Sequence, residues 1–118
     1  MNMKEFSRLV GLSAHTLRYY EKIGLLKNVQ RNSSGHRAYT SKDLNWIEFV
    51  KRLKDTAMPL EEILEYARLR EAGSRSVADR QALLEQHKES LKAHIAEQQL
   101  HLTVLEKKIS LYKEGKVR

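Results

Sequence analysis

The chain of 118 residues contains no cysteine. That absence removes disulfide frameworks, thiolate metal sites and thiol sensors together. Proline occurs once, as Pro59, and neither proline nor glycine interrupts residues 76–114. No apolar run approaches the length of a membrane span, and no secretory leader opens the chain. These features predict a soluble, cytoplasmic protein with no membrane role. Acidic residues are in deficit: 22 Lys+Arg stand against 15 Asp+Glu, a formal net charge of +7. The excess is uneven. Residues 1–59 hold 11 basic against 5 acidic side chains, and residues 60–118 hold 11 against 10. A basic excess confined to one half is the electrostatic footprint of a nucleic-acid surface. The chain also has no paired-carboxylate pocket and no glycine-rich phosphate loop. With so little length for a concave site, it is predicted not to be an enzyme and to carry no cofactor.

The sequence then turns informative at Gly11–Tyr39. Met3 to Val10 (MKEFSRLV) reads as a short amphipathic helix, with Phe6, Leu9 and Val10 on one face and Met3 a turn earlier. Gly11 follows as a left-handed stop, and Leu12 plugs the turn. Ser13 is a good N-cap for a second helix, Ala14 to Ile23, ended by Gly24. Helix, tight turn, helix is the geometry that places a second helix in the major groove. Leu17 is expected to face inward toward Phe6 and Leu9. Ala14, His15 and Arg18 then face outward, with Thr16 at the edge. Arg can take both guanine acceptors, and Thr or His can meet base edges or a thymine methyl. Tyr19 and Tyr20 are adjacent and cannot both point inward. One ring can sit against the domain while its hydroxyl meets a phosphate.

Residues 27–41 (KNVQRNSSGHRAYTS) read as a hairpin. Asn32-Ser33-Ser34-Gly35 forms the turn, and Val29, Ala38 and Tyr39 are its anchors. Arg31 and Arg37 flank the turn, as a backbone or minor-groove clamp would require.

GLSAHTLRYYEKIGLL followed by GHRAYT resembles the winged-helix domain of MerR-type transcription regulators. The likeness is close over about the first 70 residues and general in the long terminal helix. The resemblance implies a homodimer whose two subunits read the half-sites of a pseudo-palindromic promoter operator. The pair kinks and untwists an over-long spacer in double-stranded DNA, so that RNA polymerase is affected indirectly. It assigns Thr16 and Arg18 to base and phosphate contacts, Tyr19 and Tyr20 to a backbone clamp, and Arg37 and Tyr39 to the wing. His36 stands where many relatives have Tyr. Ser13, His15 and Arg31 complete the expected DNA-binding set. Small relatives that answer electrophiles carry a Cys on the helix after the wing. Here that stretch is FVKRLKDT, with Arg52, so thiol-based sensing is excluded.

Thr40 or Ser41 opens a third helix with a broad apolar face: Leu44, Trp46, Ile47, Phe49, Val50 and Leu53. Pro59 starts a fourth, where its missing N–H is tolerated, with Leu60, Ile63, Leu64 and Ala67 as its stripe. Ala72-Gly73-Ser74 is a break. Ser76 to Glu114 reads as one helix of roughly 55–60 Å. Its seam columns are Lys88, Ile95, Leu102, Ile109 and Leu84, Leu91, Gln98, Leu105, Tyr112, which predicts a coiled coil. The expected dimerisation residues are Leu84, Leu91, Ile95, Gln98, Leu102, Leu105, Ile109 and Tyr112. Leu100, Val104 and Leu111 form a second apolar strip, expected to pack on the partner subunit. Strand polarity is not set by periodicity; the resemblance implies antiparallel. His87, His94 and His101 recur every seven residues. That spacing is about 10 Å along one helix, too far to share an ion, so no metal site is expected.

The expected fold is mostly α, a winged helix–turn–helix domain (1–71), a hinge (72–75), a long coiled-coil dimerisation helix (76–114) and a tail (115–118). Two rival functions use the same fold: a protein-interaction module of the co-chaperone-modulator kind, and an excisionase-like architectural DNA protein. The basic excess with Arg18 and Arg37 disfavours the first, and the long helix disfavours the second.

Overall fold

The computed structural model describes residues 1–118 as two compact units, Met1–Arg80 and Gln81–Arg118. In the first unit, α1 (Met3–Val10) begins at Asn2, whose side chain accepts from the Glu5 N–H at 2.8 Å. It ends at Gly11 in the left-handed region, φ +68°. Lys51 closes the same end by donating to the Val10 carbonyl at 2.6 Å. α2 (Ala14–Lys22) is capped by Ser13, as its sequence dictates, and ends on Ile23 and Gly24. Gly24 at φ +85° lets two amides, its own and that of Leu25, return to the carbonyls of Glu21 and Tyr20.

A two-stranded antiparallel hairpin follows, β1 (Gln30–Arg31) against β2 (Arg37–Ala38), with Arg31 opposite Arg37. Its turn is organised by Asn32, whose Oδ1 accepts from the amides of Ser34 and His36. Gly35 at φ +81° supplies the conformation that closes it.

α3 (Ser41–Asp55) opens on a capping box: Thr40 and Asp43 satisfy each other's backbone amides. Its end uses the same closure as α2, with the amides of Ala57 and Met58 returning to Lys54 and Leu53. Here, however, the left-handed position holds an alanine, Ala57 at φ +64°. α4 (Leu60–Glu71) starts directly after Pro59.

The core is built by α1 to α4 and the wing's base. Phe6, Val10, Leu17, Ile47, Val50 and Ile63 are wholly buried. The Trp46 indole is also buried, and its N–H donates to the Leu25 carbonyl at 2.7 Å. Tyr66 stacks on it, and Arg70 lies 4.3 Å from its ring. Two expected core positions differ. Leu9 is 53% exposed: at 100° per residue it lies well off the direction shared by Phe6, Val10 and Met3, so α2 meets Phe6 without it. Leu60, in the first turn of α4, is also exposed.

Over the segment expected as a hinge, the chain makes a 3-10 turn, Gly73–Ser76. Ser76 is buried there and donates to the carbonyls of Leu69 and Gly73, while Arg80 donates to Ser76 and Gly73. α5 then runs Val77–Lys113, 37 residues without interruption. Its portion in the second unit has no buried side chain. No helix of the chain is long and apolar enough to cross a membrane.

Candidate nucleic-acid interface

The front of α2 carries a hydroxyl pair. Ser13 Oγ accepts from the Thr16 amide and donates to Thr16 Oγ1, both at 3.0 Å. No acidic residue occupies the first turn, so no side-chain carboxylate offsets the positive end of the helix. His15, Arg18 and Tyr19 are exposed, Thr16 is half-buried, and Leu17 and Tyr20 are inside. The adjacent tyrosines therefore divide as helical geometry requires. Tyr20 packs in the core and its hydroxyl accepts from Lys54 Nζ at 2.7 Å, whereas Tyr19 stands 46% exposed.

The wing brings its arginines back to α2. Arg37 Nε donates to Glu21 at 2.7 Å, and Arg31 lies 3.9 Å from the other carboxylate oxygen. Arg31 also donates to the Gly35 carbonyl at 3.1 Å, bracing the turn. His36 is exposed beside them. Tyr39 anchors the hairpin, as its residue type predicts, and its burial sets it behind the surface that the resemblance assigns to DNA. It is buried, stacks face to face on Phe6 at 4.1 Å, and turns its hydroxyl toward the Met3 sulfur. Burial pushes that hydroxyl above its ordinary pKa of 10.0, against the opposing pull of Arg37. Tyr39 thus anchors the wing to α1 and does not present its hydroxyl outward.

Asn2, Met3, Lys4, Arg18, Arg31, His36 and Arg37 line one cleft of about 290 Å³ between the start of α1, α2 and the wing. Residue typing along the sequence had marked Arg18, Arg31, His36 and Arg37 but not Lys4, which joins them only through the docking of α1. Glu21 was also missed. Its place on the Arg18 face, one turn later, is visible in the sequence, but its partner Arg37 is 16 residues away.

The MerR HTH regulatory-protein family matches residues 1–69, and the MerR DNA-binding family matches residues 44–109. The chain belongs to the MerR family. It is similar to an uncharacterized HTH-type transcriptional regulator of Haemophilus influenzae, 39% identical over 107 residues, covering 91% of this chain and 79% of that one. Among solved structures it is similar to a MerR family transcriptional regulator from Listeria monocytogenes (TM-score 0.90, 36% identity, 96% of this chain and 86% of that one). It is equally similar in sequence, 36%, to a MerR family regulator that lacks the sensor domain and was solved bound to promoter DNA (TM-score 0.87, 98% of this chain and 92% of that one). The chain is thus a MerR-family transcriptional regulator with a DNA-binding domain, mostly helical, with a long C-terminal helix.

In this MerR-family chain the second unit supplies a different surface. Ile95, Leu102, Leu105, Ile109 and Tyr112 are each about half exposed or more, while Leu84 and Leu91 are half-buried. Gln98 is exposed among them, and the strip of Leu100, Val104 and Leu111 is exposed as well. His94 and His101 are exposed, with His101 3.6 Å from Glu97, and His87 is half-buried.

Proposed function

We propose that this chain acts as a homodimeric, sequence-specific reader of promoter DNA, with residues 1–71 as the reading domain and the helix over 76–114 as the dimerisation element. One observation carries the reading: Arg18 and His15 stand exposed on a capped helix whose flank opens into a cleft lined by Lys4, Arg31 and Arg37. That arrangement suits a recognition helix in the major groove with the backbone held beside it. The promoter-bound relative supports the same use of the fold. Within this reading Ser13, His15, Thr16, Arg18 and Tyr19 face the duplex, and Arg31, His36 and Arg37 hold its backbone. Tyr20 and Tyr39 act behind them, through Lys54 and Phe6. The seam of Leu84, Leu91, Ile95, Gln98, Leu102, Leu105, Ile109 and Tyr112 pairs two copies. Two reading helices related by that pairing prefer an inverted repeat, and distortion of the DNA between the half-sites acts on RNA polymerase indirectly. The protein works in the cytoplasm, without catalysis and without a cofactor.

Selection of bound sequences from a random duplex library tests the reading, followed by titration of the enriched duplex with wild type and Arg18→Ala. An inverted repeat is expected, and Arg18→Ala loses about 1–3 kcal/mol on it if the guanidinium is bidentate to a base. No enrichment, or unchanged binding by the variant, contradicts it.

A further inference from the structure

Two of the cations in the basic cleft are already engaged. Glu21 accepts from Arg37 Nε at 2.7 Å and approaches Arg31 Nη2 at 3.9 Å. The side chains of Arg37 and Glu21 are only 26% and 27% exposed, so water screens the pair less than it would at an open surface. Lys4 and Arg18, the other full cations of the cleft, take part in none of the unit's ion pairs. With Arg18 left to the bases, Lys4, Arg31 and Arg37 around this cleft of about 290 Å³ have the charge to hold one phosphodiester group. A carboxylate held by two of them is chemically what a phosphate oxygen would be in the same place.

We propose that this cleft seats one phosphodiester of the DNA strand, with Lys4 as a ligand, and that Glu21 is an internal anion the phosphate must share or displace. The proposal rests on the DNA-binding reading above. It assigns Glu21 a role opposite to a simple brace. A brace strengthens DNA binding by holding the wing still. A resident anion weakens it on every sequence, because attraction to phosphates is the sequence-independent part of affinity. Glu21 thereby sets how tightly the protein holds DNA of any sequence, and how steeply that hold falls with salt.

The test uses the full chain and a labelled random-sequence duplex, titrated by fluorescence anisotropy over a series of salt concentrations. Thermal melting checks that each variant folds. Glu21→Gln is expected to bind roughly tenfold more tightly near 0.1 M salt and to steepen the salt slope by about one. Lys4→Ala is expected to bind roughly tenfold more weakly, with a slope shallower by about one. In the Arg37→Ala background most of the Glu21→Gln gain disappears, because the freed guanidinium is no longer there. A folded Glu21→Gln that binds as wild type or more weakly overturns the role of Glu21. Lys4 is exposed and outside the pair, so it tests the cleft whatever Glu21→Gln does to folding. Unchanged binding and slope for Lys4→Ala overturn the seat. Failure of the wild type to bind any duplex overturns the DNA-binding reading itself, a separate result.

Discussion

Residues 1–80 bury Phe6, Leu17, Ile47, Val50 and Ile63 completely, whereas the helix beyond residue 80 buries no side chain fully. Both stretches are rich in Leu and Ile. They differ in whether a chain neighbour exists to cover them. In the winged unit four helices close around each other, and even the Trp46 N–H finds its acceptor. In α5 a long run of good helix formers keeps its regularity, yet Ile95, Leu102, Leu105 and Ile109 remain about half exposed. With half of their surface already covered by the helix, each stands to gain about 1–1.5 kcal/mol on burying the rest. In proteins, helices draw most of their stability from packing of an apolar face. The first unit is therefore complete within one chain, and the second keeps an apolar surface that the proposed pairing through α5 would cover.

The largest expected effect falls on the incomplete half. Leu102→Glu in a symmetric pair removes two leucines that pairing would cover, about 2–3 kcal/mol of apolar burial, and adds the cost of two carboxylates at the seam. Sedimentation velocity is expected to show monomers, and binding to an inverted-repeat duplex is lost with them. The complementary change in the complete half is Ile47→Ala. It opens a cavity in the winged core and lowers stability by about 2–5 kcal/mol in denaturant titration, with the assembly state unchanged in native buffer. If Ile47→Ala also dissociates the protein, the two halves are not independent in the way described.

A smaller test compares the two closures that share one backbone pattern. Gly24 occupies its left-handed position without penalty, but Ala57 carries a Cβ in the same conformation. Ala57→Gly is expected to raise stability by about 0.5–1 kcal/mol, read as an increase in the melting midpoint. A decrease means that the unfolded-state entropy of glycine outweighs the relieved strain.

The smallest effect is confined to alkaline pH. Burial raises the Tyr39 pKa in the folded state. The folded protein thus holds this proton more tightly than the unfolded chain. The resulting stability is full below 10.0, the ordinary value, and is lost as pH climbs through the raised folded value. Tyr39→Phe is expected to flatten the fall in melting temperature above pH 10, with little change at neutral pH. Equal slopes for the two proteins contradict this.

What could be read from the sequence divides by range. Ser13, Thr40, Gly11 and Gly24 act on backbone groups within four residues, so local chemistry placed the helix ends. The apolar columns of α5, proposed as its seam, are equally legible, because periodicity needs no knowledge of a partner. The failures are tertiary. Leu9 has the right residue type but lies off the axis along which α2 and α3 approach α1. Tyr39 reads from the sequence as an anchor of the hairpin and is one, but that it anchors by stacking on Phe6, 33 positions earlier, no local pattern specifies. The Glu21–Arg37 and Lys54–Tyr20 contacts join positions 16 and 34 residues apart, which no local pattern specifies. Lys4 enters the cleft for the same reason, through helix docking.

In the proposed assembly two copies, joined through α5, present two winged units to one DNA site. Sedimentation velocity of the full chain, alone and with a duplex enriched by its own selection, tests this most directly. A dimer is expected without DNA, and two chains per inverted-repeat duplex at saturation. A stable monomer, or one chain bound per duplex, would contradict it.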